Sequence, residues 1–145
     1  MLTVSTDNRL LDVERIGRWL SEDAYWSRGR SLATVERSLR HSVNIGAYAE
    51  TADGPEQVGL LRIVTDRATF AWVCDVYVDP ARRGEGIGRL LLAEADTMLT
   101  RMGVNRALLA TADAHELYAE FGFGPLEDTA RWMARSYAEP TPDEG

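Results

Sequence analysis

A mixed α/β (α+β) domain, with helices packed on a mostly antiparallel sheet of about six to seven strands, is the fold class that three features of the sequence predict. Apolar residues recur at helical spacing in two early segments, then give way to three strand-like runs separated by short turns, the pattern of an antiparallel meander. Residues 69–102 read as strand, glycine turn and helix, and a buried strand-like run at 106–111 follows. A strand–helix–strand crossover sets those two strands side by side and parallel. Finally, 145 residues with 45% hydrophobic content suit one core, and nothing in the chain asks for two. About four helices flank the sheet in this reading.

The elements are justified in chain order. Residues 2–5 suit a short first strand. Asp7 or Asn8 can cap a helix whose one face carries Leu10, Val13, Ile16, Trp19 and Leu20. Residues 21–30 break that pattern and hold Tyr25, Trp26, Arg28, Gly29 and Arg30. Aromatics and arginines on a connection between helices can close over a bound substrate; they can also pack a helical corner. A second helix runs through Leu32, Val35 and Leu39. Residues 43–51 alternate as a strand, Ala52-Asp53-Gly54-Pro55 is turn chemistry, residues 57–65 form the next strand, and Asp66-Arg67 turns the chain into Thr69. After the 106–111 strand, Asp113 caps a short helix over 114–121 that Gly122 stops, and residues 131–136 make a last strand. Residues 138–145 have no apolar content to fold around and read as a disordered tail beyond a domain of residues 1–137.

Composition excludes several function classes. No apolar run approaches a membrane span, and the N-terminus lacks the basic and apolar regions of a signal peptide, so a cytoplasmic protein without membrane attachment is expected. Cys74 is the single cysteine and His41 and His115 are the two histidines, which argues against an internal disulfide and against a metal centre. A net charge of −7 argues against nucleic-acid binding, which relies on a basic face.

The most informative stretch is the turn before the long helix. Residues 69–78 are rich in β-branched and aromatic residues, and Asp79-Pro80 ends them. Arg82-Arg83-Gly84-Glu85-Gly86-Ile87-Gly88-Arg89 follows. A helix start exposes unpaired N–H groups and the positive end of a dipole, glycines let an anion approach, and three arginines add charge. The turn suits phosphate. The spacing Gly84-x-Gly86-x-Gly88, with no lysine in the chain, fits neither the dinucleotide fingerprint nor the P-loop.

What it does fit is Arg-x-x-Gly-x-Gly behind a strand ending Val78-Asp79-Pro80, and this resembles the acyl-CoA signature of the GNAT superfamily of N-acetyltransferases. Residues 113–123, with Leu117-Tyr118 and Gly122-Phe123, are similar to a second, late segment of that family. The element order resembles its whole fold, from about residue 2 to 136, and the stretch 25–31 resembles a subgroup of small bacterial members.

That resemblance implies transfer of an acetyl group from acetyl-CoA to the primary amine of a small molecule or peptide by direct attack, in a monomer or homodimer. Its splayed parallel strand pair would free the backbone at Val76, Tyr77 and Val78 for the pantetheine arm and the thioester carbonyl. Arg83, Gly84, Glu85, Gly86, Ile87, Gly88 and Arg89 would hold the pyrophosphate, with Thr111 standing where many relatives keep an asparagine. Tyr118 would protonate the leaving thiolate, or pack one helix face with Leu117 and Phe121. Asp75 stands as base, as ammonium anchor or as a core aspartate paired with an arginine such as Arg62, while Cys74 replaces a family glutamate and reads as an inert thiol. Trp19, Tyr25, Trp26 and Arg30 complete the acceptor pocket around Asp75. A lysine-like amine costs about 4.6 kcal/mol to deprotonate at pH 7 and a peptide α-amine about 1 kcal/mol, so a base matters mainly for the first. The rival class is a catalytically silent acyl-CoA-binding module.

Overall fold

In the computed structural model, which describes residues 1–137, a five-stranded sheet runs in the order β1-β2-β3-β4-β5. The strands are β1 (Leu2–Ser5), β2 (Val43–Thr51), β3 (Gly54–Thr65), β4 (Phe70–Val78) and β5 (Arg106–Leu108). The first four pair antiparallel in sequence order, and β5 joins β4 in parallel. The meander and the crossover are therefore both present. Helix α3 (Ile87–Met102) covers one face, burying Ile87, Leu91, Leu92, Ala95 and Leu99 against Ile45, Val58, Leu61 and Val73. Helices α1 (Val13–Arg18) and α2 (Leu32–Arg40) cover the other, where Ile16, Leu20, Val35 and Leu39 meet Leu60 and Tyr77. Each such side chain, fully buried, contributes about 1.5–3 kcal/mol.

Four details differ from the sequence reading. The first helix starts twice: Asp7 accepts from the Arg9 N–H to cap a 3₁₀ turn at Asn8–Leu10, and Asp12 accepts from the Arg15 N–H to cap α1. Beyond Arg18 the helix widens into a π-turn over Trp19–Asp23, an irregularity that apolar spacing does not encode. The last helix, α4 (His115–Ala119), is shorter than 114–121 and has no side-chain cap; Asp113 does not supply one. Thr111 Oγ1 instead accepts from the N–H groups of Asp113 at 3.4 Å and Ala114 at 3.1 Å.

The fourth difference is the strand count. Among the described residues five strands form rather than six to seven, β5 ends at Leu108, and the strand expected over 131–136 is absent. Met133 is 95% exposed and Tyr137 84% exposed, while Trp132 lies under the Arg106 guanidinium at 4.9 Å without strand pairing. The tail expected over 138–145 lies outside the described residues.

Two features of β4 shape the site. Its pairing with β5 covers Phe70↔Arg106, Ala71↔Ala107 and Trp72↔Leu108, and β4 then runs on to Val78 with no strand partner on that side among the described residues. A bulge interrupts its other ladder: Cys74 faces Arg62 and Tyr77 faces Leu60, so Asp75 and Val76 together oppose Leu61. Asp75 sits at φ 48, a left-handed conformation in which aspartate is better tolerated than most residues. The extra residue reverses the alternation of the strand. Ala71 and Val73 face α3, and beyond the bulge Val76 and Val78 do so while Tyr77 joins the opposite cluster.

Candidate active site

The basic turn lies at the mouth of the split in the sheet. Asp79 caps a 3₁₀ turn at Pro80–Arg82 by accepting from the Ala81 N–H, and the chain then passes through Gly84 at φ 88 and Gly86 at φ 83 into α3. Gly86 is the N-cap, and no side chain caps the helix. The first hydrogen bond runs from the Leu90 N–H to the Gly86 carbonyl, which leaves the N–H groups of Ile87, Gly88 and Arg89 without an acceptor among the described residues. A Cβ at Gly84 or Gly86 would meet nothing within 4 Å. The glycines are thus required by backbone conformation, and open space lies before the helix end. An uncapped start to a long helix, flanked by Arg82, Arg83 and Arg89, fits a polyanion such as a pyrophosphate.

The arginines are held in place by carboxylates. Arg83 Nη2 stands 3.7 Å from Asp23 Oδ2, its Nε donates to the Val78 carbonyl at 3.3 Å, and its guanidinium lies 5.8 Å from the centre of the Tyr77 ring. The Tyr77 hydroxyl donates to the same Asp23 oxygen, and burial together with that carboxylate pushes the phenol up, so Tyr77 stays protonated. Arg82 pairs with Glu85 at 3.3 Å and Arg89 with Glu120 at 2.9 Å. Arg89 also borders a hollow of ≈ 830 Å³ walled by Asp113, His115, Glu116, Leu117 and Glu120.

Asp75 is the centre of the acceptor side. Its side chain is 2% exposed; Oδ1 accepts from Trp26 Nε1 at 2.9 Å, and Oδ2 accepts from both Arg30 Nη1 and Arg62 Nε at 2.8 Å. Arg62 Nη1 also donates to Ser42 Oγ at 3.0 Å. Burial pushes the Asp75 carboxyl up, but the Arg62 hydrogen bond and the charges of Arg62 and Arg30 outweigh it and hold the group below the ordinary carboxylate range. A carboxylate so engaged is a weak base and offers little to an incoming ammonium. Arg62 is the arginine named from the sequence as a possible partner of a core Asp75, while Ser42 and Asp23 gave no signal.

The loop that carries Trp26 and Arg30 is tied to the π-turn. Ser27 Oγ donates to the Leu20 carbonyl at 2.7 Å and the Gly29 N–H to the Ser21 carbonyl at 2.9 Å. Gly29 adopts φ 83, and Arg30 follows it onto Asp75. Tyr25 stacks edge-on against Trp26 at 5.0 Å, and both are exposed. Trp19 does not join them: it is buried and tilted against Tyr77 at 5.1 Å in the core.

Tyr118, on α4, is nearly buried and meets Phe123 edge-on at 6.2 Å. Its hydroxyl has no hydrogen-bond partner among the described residues. Burial, then Tyr25, then Asp113 push its pKa up, which keeps the proton on. Burial likewise pushes the Cys74 thiol up to about 11, so it is not a nucleophile at neutral pH. Among the described residues, no group of three or more His, Cys, Asp or Glu could hold a metal ion, and no helix is long and apolar enough to cross a membrane.

A parallel strand pair that splits beside an uncapped, glycine-flanked helix start is the architecture of an acyl-CoA-handling transferase, and comparison with known proteins agrees. Residues 13–123 match the acetyltransferase (GNAT) family, and the chain belongs to it. A candidate acetyltransferase of Gibberella zeae is 35% identical over 133 residues, covering 81% of this chain and 75% of that protein. The crystal structure of a candidate GNAT-family acetyltransferase from Xanthomonas campestris pv. campestris superposes with a TM-score of 0.86 at 40% identity, covering 94% of this chain and 93% of that one. Rv2747 of Mycobacterium tuberculosis, solved in complex with CoA, shares the fold at 22% identity and a TM-score of 0.68, with 86% and 73% of the two chains covered. The protein is an acyltransferase of GNAT architecture.

Proposed function

We propose that the protein is an N-acetyltransferase that moves the acetyl group of acetyl-CoA to a primary amine by direct attack. The observation that carries this reading is the free N-terminus of α3 beside the unpaired half of β4, with the Tyr118 hydroxyl unpartnered on α4. The N–H groups of Ile87, Gly88 and Arg89 and the three arginines hold the pyrophosphate. Backbone donors over residues 76–78 take the pantetheine arm and polarise the thioester carbonyl. The Thr111 hydroxyl, which accepts bonds from the turn into α4, keeps its own proton to donate to the cofactor arm.

The amine nitrogen attacks the carbonyl carbon, the carbon–sulfur bond breaks, and the sulfur leaves with the bonding pair. Tyr118 gives its proton to that thiolate, and the proton lost by the amine passes to water, because Asp75 is engaged on both oxygens. With Asp75 engaged in this way, the cleft favours amines of low pKa, such as a peptide α-amine. The test is release of CoA thiol on an amine panel, with acetyl-CoA affinity measured alongside. Binding of acetyl-CoA without turnover on any amine would replace this reading with a silent binding module.

A further inference from the structure

Arg30 and Arg62 together carry two positive charges against the single negative charge of Asp75, so the cluster keeps one positive charge in excess. The arrangement leaves most of its donors unused. Arg30 spends one N–H on Asp75, and Arg62 spends one on Asp75 and one on Ser42; their other N–H groups have no acceptor among the described residues. Both guanidinium groups are half-buried, at 22% and 14% side-chain exposure, and both are fixed by a carboxylate that is itself buried. Such donors are desolvated and pre-oriented, the condition under which a guanidinium fork binds a planar oxyanion best.

Their position is equally specific. Asp75 lies in the bulge of β4, one residue before the backbone that faces the cleft, and past the last β5 pairing at Trp72. From Arg30 a chain of contacts leads through Asp75 to Trp26 and by ring stacking to Tyr25. One end of this wall is cationic and the other aromatic.

We infer that the acceptor is an amine that also carries a carboxylate, and that Arg30 and Arg62 bind this carboxylate while the exposed Tyr25 and Trp26 rings line the path to the amine. The excess of one charge matches a carboxylate better than a dianionic phosphate, and it opposes a polyamine. Asp75 is then a positioning residue: it holds the two forks and the Trp26 indole and does not touch the amine. The inference rests on the acetyl-transfer reading of the same cleft.

The experiment compares dipeptides with their C-terminal amides, which keep the amine pKa nearly matched and remove only the carboxylate, and includes spermidine as a cationic acceptor. Calorimetry on the CoA-loaded protein and steady-state acetylation are both read. The expected result is that free dipeptides bind and are acetylated with a KM about tenfold or more below that of their amides. Arg30→Gln is expected to shrink the ratio of the amide KM to the free-acid KM, read within the variant, several-fold toward one. Equal or tighter handling of the amides or of spermidine overturns the carboxylate site while the transferase reading stands. A binding preference for free acids without acetylation of anything overturns the transferase reading and leaves the carboxylate site in place; no preference in either readout overturns the site.

Discussion

At the residue scale, Tyr118 and Asp75 show how burial can serve opposite ends. Tyr118 is buried without a hydrogen-bond partner among the described residues, so its proton stays on the oxygen, and giving it to a thiolate, a weaker base than tyrosinate, requires the site to stabilise the tyrosinate that remains. Tyr118→Phe is expected to lower kcat by roughly 10²-fold with little change in acetyl-CoA affinity, since the ring and its contact with Phe123 remain. An unchanged kcat would return Tyr118 to core packing. Asp75 is buried with every oxygen occupied, and its value is organisational. Cys74 is expected to resist iodoacetamide at pH 7.5 in the folded protein and to react on unfolding, because a thiol pushed up to about 11 holds almost no thiolate at that pH. Rapid alkylation of the native protein would contradict that placement.

At the element scale, the start of α3 joins fold to function. Gly59 lets the helix approach β3: a Cβ there would lie 3.0 Å from Ile87 Cγ2 and 3.2 Å from Leu91 Cδ1. Gly86 holds the turn by its positive φ, with free space around it. Gly86→Val should therefore destabilise the fold by about 1–2 kcal/mol through backbone strain and also block the anion site. Gly86→Asn tolerates the left-handed conformation and should lose acetyl-CoA affinity while keeping most of its stability. Thermal melts and calorimetry separate the two effects, and unchanged affinity in the Asn variant would remove the phosphate cradle. Much of this element was legible in the sequence because strand, turn and helix each have a local signature. The bulge at Asp75 was not, because it answers to β3 across the ladder rather than to local spacing, and the π-turn at Trp19–Asp23 was not, because apolar spacing does not encode the wider bonding. Asp75 could be singled out from sequence as a site residue, but its role turns on Arg30 and Trp26, which lie 45 and 49 positions away.

At the scale of the whole molecule, the titrating groups set the limits of stability at both ends of the pH range. Asp7, Asp66 and Asp75 are each held below their ordinary pKa: Asp7 by Arg9, Asp66 by Thr69 and the neighbouring backbone N–H groups, and Asp75 by Arg62 and Arg30 against the opposing effect of burial. A carboxylate with a depressed folded pKa stabilises the fold above its unfolded value and loses that contribution as pH falls through the folded value. Tyr48, pushed up to about 12 by burial, Cys74, and Tyr77, raised by burial and by its bond to Asp23, act in the reverse sense. Their contribution is intact below the ordinary thiol and phenol values and is lost as pH rises through their folded ones. Stability should thus be level between about pH 5 and 8 and fall on either side. Asp75→Asn tests the acid limb. It leaves two buried guanidinium groups poorly paired and should cost about 3 kcal/mol at pH 7. Below pH 4 the difference from the wild-type protein should shrink, because protonation removes the same charge from Asp75 itself. Urea midpoints from pH 7 to pH 3 measure this, and a gap between the two proteins that stays constant over that range would show that the Asp75 charge contributes nothing to holding the arginine pair.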